Sequence, residues 1–189
     1  MTVLRRAPGP DSGGNQLHHN RQRETVKVFV SHGTKKFRDR VPPTDSSAPE
    51  QPTSTALGDW YATVLFWRPQ VALFVNEQTL LPVLMPLAPA ASTLARFGPA
   101  ATDVLRSHGL RPSFVDREAT EMANYRLTKT QNRSVLGIMN ELAYLADVRR
   151  AAGEDLDLVQ LSLRLAETPC SPLYGTHISP DRALAAIAG

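Results

Sequence analysis

One cysteine, Cys170, is all that the 189 residues contain. No intramolecular disulfide can form, so the fold must be held by its core, and a reducing cytoplasm is the expected setting. Long apolar runs are missing too. The longest, 80–91, is interrupted by Pro82, Pro86 and Pro89 and falls well short of the roughly 20 residues that cross a bilayer. No membrane association is expected. Near the start, Arg5-Arg6 leads into Ala7-Pro8-Gly9-Pro10, where an export signal needs an apolar stretch of about 7–15 residues.

Chemical signatures are equally sparse. There is no Walker loop and no dinucleotide fingerprint, and Ser134 lacks the Gly-x-Ser-x-Gly surroundings of a hydrolase nucleophile. His32, His108 and His177 stand at no ligand spacing from one another or from Cys170. His18-His19 lie in a segment without the fixed geometry of a metal site. Neither a metal nor a cofactor is expected. Catalytic sets spread along a chain escape such tests, so the sequence leaves open whether the protein is an enzyme.

Charge is nearly balanced, 21 Lys plus Arg against 18 Asp plus Glu. Arg5, Arg6, Arg21 and Arg23 face only Asp11 and Glu24 in residues 1–25, while 26–189 hold 17 basic and 16 acidic residues. The high pI therefore reflects a basic tail on a nearly neutral body, not the basic stripe of a nucleic-acid surface. Residues 1–25 also lack the aliphatic content that would offset the entropy of ordering and are expected to be a disordered tail.

From residue 26 onward the chain, 42% hydrophobic overall, has enough apolar content for one domain. Val26-Lys27-Val28-Phe29-Val30 has strand composition, and Thr34 is placed to cap a short helix carrying Phe37 and Val41. Residues 42–56 are rich in Pro, Ser and Thr and read as a loop. Residues 57–67 read as a helix with Asp59 as its N-cap, ended by Pro69. Residues 70–76 and 79–85 form an antiparallel hairpin turning at Glu77-Gln78, and Pro82 puts the second strand at an edge. A helix over 92–108 is expected to break at Gly98-Pro99, with Gly109 ending it. Residues 112–122 are helical and 124–129 a strand. Val135, Leu136, Met139, Leu142, Leu145 and Val148 make an apolar helical stripe ended by Gly153. Residues 156–165 are read as a helix, and a last one starts at Pro180 with Ser179 as cap. The pattern predicts α+β: a small, mainly antiparallel sheet of about four strands covered by helices in a single domain, 26–189.

Three blocks stand out together: Gly33-Thr34-Lys35-Lys36; Leu57-Gly58-Asp59-Trp60-Tyr61-Ala62 leading into 73–80; and Lys129-Thr130 with Asn132-Arg133-Ser134-Val135-Leu136-Gly137. In these the chain resembles a bacterial family of domains of unknown function marked by the Asn-Arg-Ser-Val-Leu-Gly run. Thr168-Pro169-Cys170-Ser171-Pro172-Leu173 resembles its C-terminal block. The resemblance spans roughly 26–184 and implies one domain, but it supplies no activity to transfer.

The segment 129–140 carries the most suggestive chemistry. Asn132 is placed to cap the following helix, leaving the N–H groups of Ser134 and Val135 at the corner beside Lys129 and Arg133. Such a corner suits a phosphate or carboxylate. Arg133 in a first turn opposes the helix dipole by about 0.3–1 kcal/mol, and the competing reading pairs it with Asp59, Glu77 or Glu118. Gly137, costing about 1 kcal/mol relative to Ala, is expected to admit another element at close range. Lys27, Lys35, Lys36, Arg38 and Arg40 against Asp39 read as a solvated face, so nucleic acid draws only weak support. The leading expectation is a binding module for an anionic ligand or protein partner, with its corner at Lys129, Asn132, Arg133 and Ser134. The alternative is an enzyme on a phosphorylated or nucleic-acid substrate, with Asp59 or Glu77 as base.

Overall fold

The computed structural model describes residues 28–42, 52–154 and 157–189. The predicted tail 1–25, the His18-His19 pair and most of the 42–56 loop lie outside them.

Strands β1 (Phe29–Gly33), β2 (Trp60–Leu65), β3 (Val71–Asn76), β4 (Pro82–Pro86) and β5 (Tyr125–Lys129) make one sheet in the order β4-β3-β2-β1-β5. β2, β3 and β4 are antiparallel neighbours, whereas β1 is parallel to both β2 and β5. The sheet is thus mixed and five-stranded, a correction to the four-stranded, mainly antiparallel expectation. The α+β class stands. β1 runs on to Gly33, past the predicted end at residue 30, and residues 26 and 27 of that prediction lie outside the described residues.

The extra strand comes from the segment read as a helix. Trp60, Ala62 and Val64 feed the core on one face of β2, while Tyr61 and Leu65 feed the other. A strand buried on both faces is apolar at nearly every position, here all but Thr63, so it shows neither a two-residue nor a 3.6-residue period. Asp59 precedes a strand and caps no helix.

Among the described residues six α-helices cover the two faces: α1 (Lys35–Arg38), α2 (Thr93–Ser107), α3 (Pro112–Glu121), α4 (Arg133–Ala151), α5 (Leu158–Ala166) and α6 (Pro180–Ala188). On one face Phe37 of α1, Phe97 and Leu105 of α2 and Val115 of α3 pack on Phe29, Trp60 and Phe74. On the other, Val135, Met139 and Leu142 of α4 and Leu165 of α5 pack on Tyr61, Leu73 and Val75. Each fully buried side chain of this size contributes about 1.5–3 kcal/mol.

Pro99 lies inside α2, which runs on without the expected break. A Cβ on the neighbouring Gly98 would come 3.3 Å from the Met122 Cβ, so this glycine serves the close packing of α2 on the end of α3. In α4 the stripe is Val135, Ile138, Met139, Leu142 and Ala146, while Val148 is 46% exposed. Gly137 faces solvent with nothing within 4 Å of a built Cβ, so it admits no packed element. Ser179 occupies the position before α6, but its hydroxyl is hydrogen-bonded to Asp181 and caps no backbone N–H.

The two sheet edges differ. β4 lacks N–H donors at Pro82 and Pro86, and its Leu84 N–H donates to the buried Ser162 hydroxyl of α5 at 2.9 Å. That edge is closed to further pairing. β5 is half-buried and, among the described residues, pairs only with β1.

Candidate functional site

The register of the sheet sets Tyr61, His32 and Thr128 side by side on adjacent strands. His32, 8% exposed, stacks on Tyr61 with ring centroids 4.7 Å apart. Its Nε2 is 2.8 Å from Asp59 Oδ2, and its Nδ1 is 3.1 Å from the Lys129 carbonyl and 2.8 Å from Thr128 Oγ1. A carbonyl only accepts, as does an ionised carboxylate. The imidazolium satisfies both by donating at each nitrogen. A neutral ring donates at Nε2 and accepts the Thr128 proton at Nδ1, giving up the Lys129 carbonyl. Burial by itself lowers the pKa of His32, but the Asp59 and Lys129 hydrogen bonds and the charges of Asp59 and Glu77 outweigh it and raise the value above 6.5.

A second network adjoins the first. The Glu77 N–H donates to the Asp59 carbonyl at 2.9 Å, holding the two predicted acid/base residues next to each other along the backbone. Glu77 Oε1 accepts from Asn132 Nδ2 at 3.0 Å and from the Tyr61 hydroxyl at 3.4 Å, while the Asn132 N–H donates to that same hydroxyl at 3.1 Å. Burial pushes the Tyr61 phenol up, with the Asn132 N–H pulling the other way.

Asn132 caps α4 as its sequence position implies, but the cap alters the expected corner. Its Oδ1 accepts from Ser134 N at 3.0 Å and Val135 N at 3.4 Å, so those donors are occupied by the protein itself. Lys129 and Arg133 are exposed, and among the described residues neither side chain has a carboxylate partner. The ion pairs considered for Arg133 do not form: Asp59 holds His32, Glu77 holds Asn132, and Glu118 is buried on α3. Glu118 accepts from the Ala56 and Leu57 N–H groups, and its carboxyl is raised chiefly by burial.

An open groove of about 420 Å3 lies at the carboxyl ends of β1 and β5, lined by Arg38, Val41, Leu127, Thr128 and Lys129. The strand order reverses here, because the chain leaves β1 for β2 on one side and returns as β5 on the other. Crevices at such reversals are where open α/β sheets take ligands. His32 contacts two of the lining residues, Thr128 and Lys129, and Arg38 is tied to the Gly33 carbonyl at 3.1 Å. His32 and Arg38 were not among the predicted site residues. Among the described residues no group of His, Cys, Asp and Glu is arranged to hold a metal ion. Burial pushes the Cys170 thiol up to about 11, away from the thiolate a nucleophile needs.

The chain matches the family described as a domain of unknown function, DUF6933, over residues 31–183. It belongs to that family, in line with the resemblance carried by its three sequence blocks. No curated protein and no solved structure matches it. No helix among the described residues is long and apolar enough to cross a membrane.

Proposed function

We propose that this domain is a binding module that takes up an anionic group, a phosphate or a carboxylate, in the groove at the ends of β1 and β5. Lys129 and Arg38 supply the charge, with Arg133 at the adjacent start of α4. The observation that carries this reading is the division of labour among the charges. Lys129 and Arg133 are exposed, Arg38 is half-buried, and none of the three has a carboxylate partner among the described residues, whereas Asp59 and Glu77 are engaged internally. A buried, unpaired thiol at Cys170 fits a reducing compartment such as the cytoplasm.

Sulfate and phosphate also stabilise proteins through exclusion from their surface, so variants carry the test. At matched ionic strength phosphate is expected to raise the melting temperature more than chloride, with the difference shrinking in Lys129→Gln and Arg133→Gln. An equal gain in wild type and both variants would remove the site.

A second reading, an enzyme acting on a phosphorylated or nucleic-acid substrate, draws on the 2.8 Å His32–Asp59 pair. Against it, both nitrogens of His32 are taken, and Glu77 Oε1 already accepts two hydrogen bonds. Phosphoester hydrolysis abolished by Asp59→Asn would favour it.

A further inference from the structure

We infer that the turn between β2 and β3 is a stacking platform for single-stranded nucleic acid, a surface separate from the groove. β2 ends at Leu65 and pairs there with Val71, so residues 66–70 form the tip of a hairpin. Consecutive residues at a strand end point to opposite sides. Phe66 accordingly lies toward α1, with Lys36 Nζ 5.6 Å and the Arg40 guanidinium 4.6 Å from its ring centroid. Trp67 lies toward α4, with the Arg150 guanidinium 5.0 Å from its ring and its Nε1–H donating to Asp147 at 2.5 Å.

The arrangement is more than a pair of surface contacts. Phe66 leaves 56% of its surface in water at a turn, where polar residues are the rule. Lys36 and Arg40 lie over Phe66 and Arg150 over Trp67, and among the described residues none of the three has a carboxylate partner. The nearby Arg149 is by contrast matched by Glu154 at 3.2 Å. Flat rings flanked by cations are complementary to unpaired bases joined by phosphates, since every base has a face to stack and every linkage a charge. A duplex keeps its base faces stacked internally and offers the rings nothing, which is why the platform selects single strands.

The experiment is fluorescence anisotropy with the full chain and end-labelled 12-nucleotide mixed-sequence single strands, one DNA and one RNA, together with the matching duplexes. Single strands are expected to bind more tightly than duplexes, with affinity falling steeply as salt rises. The RNA and DNA arms show which backbone is preferred. Phe66→Ala should weaken binding about tenfold, because stacking on one base accounts for at least that much. Arg40→Gln with Arg150→Gln should flatten the salt dependence. Quenching of Trp67 emission on binding gives an independent readout, since the other tryptophan, Trp60, is fully buried. The inference is overturned by unchanged affinity in Phe66→Ala, by equal affinity for duplex and single strand, or by preferential binding to phosphatidylserine vesicles.

Discussion

Asp59 Oδ2 lies 2.8 Å from Nε2 of His32, a residue 27 positions earlier in the chain and one strand away. The pair ties the approach to β2 to the middle of the sheet, and through Nδ1 it reaches the end of β5.

The protonation of His32 should therefore be visible in stability. A folded-state value raised above 6.5 means that this contribution is complete below the unfolded value and is lost as pH rises through the folded one. Urea unfolding of wild type against His32→Gln should show a difference that declines from pH 6 into the alkaline range. His108, whose value burial lowers, acts in the opposite sense, losing its contribution as pH falls below about 6.5. It is present in both proteins and cancels in the difference. A difference that is flat or grows with pH would dismiss the imidazolium assignment.

Asn76 is fully buried, and its amide is used at both ends. Nδ2 donates to the Leu57 carbonyl at 2.7 Å and the Asp59 carbonyl at 3.2 Å, while Oδ1 accepts from Gln78 N, Thr79 N and the Thr79 hydroxyl. Asn76→Asp replaces the donor by a carboxylate oxygen facing two carbonyls. A loss of about 2–4 kcal/mol at neutral pH is expected, measured by urea unfolding. Because Asn76 anchors the segment leading to Asp59, the His32 resonances should also shift in the NMR spectrum.

Helix α4 offers a matched set. Leu142→Ala, at a position 1% exposed, should cost about 2–5 kcal/mol. Val148→Ala, largely in solvent, should stay within about 0.5 kcal/mol. Gly137→Ala should stabilise by about 0.5–1 kcal/mol, since the added methyl meets open space and the helix gains a better former. Destabilisation by Gly137→Ala would mean that another molecule closes on that face.

What the sequence disclosed follows from how each element is buried. α4 packs one stripe, so Val135, Met139 and Leu142 were readable at helical spacing although Tyr144 and Val148 lie exposed on its back, and Asn132 marked its start. The β3–β4 hairpin was readable from its turn and from Pro82. β2 was not, because burial on both faces erased its alternation and Asp59 imitated a cap. The parallel pairing of β1 with β5 left no local trace either. For the site, Asp59, Glu77 and Lys129 were legible as charges, but His32 was passed over because Thr128 lies 96 positions away. A histidine inside an otherwise apolar strand was the available signal: once buried, its ring needs partners. Gly137 misled, because a helical glycine reads the same whether it faces a neighbour or open water.

The division of the sheet at β2 also sets a timetable for a growing chain. β2, β3 and β4 can meet across short turns soon after they are made, whereas β1 waits for β5 across nearly a hundred residues. Closing so long a loop costs chain entropy before any contact repays it. During synthesis β1 is therefore a strand with one side vacant, and the groove beside Lys129 is the last part of the sheet to exist.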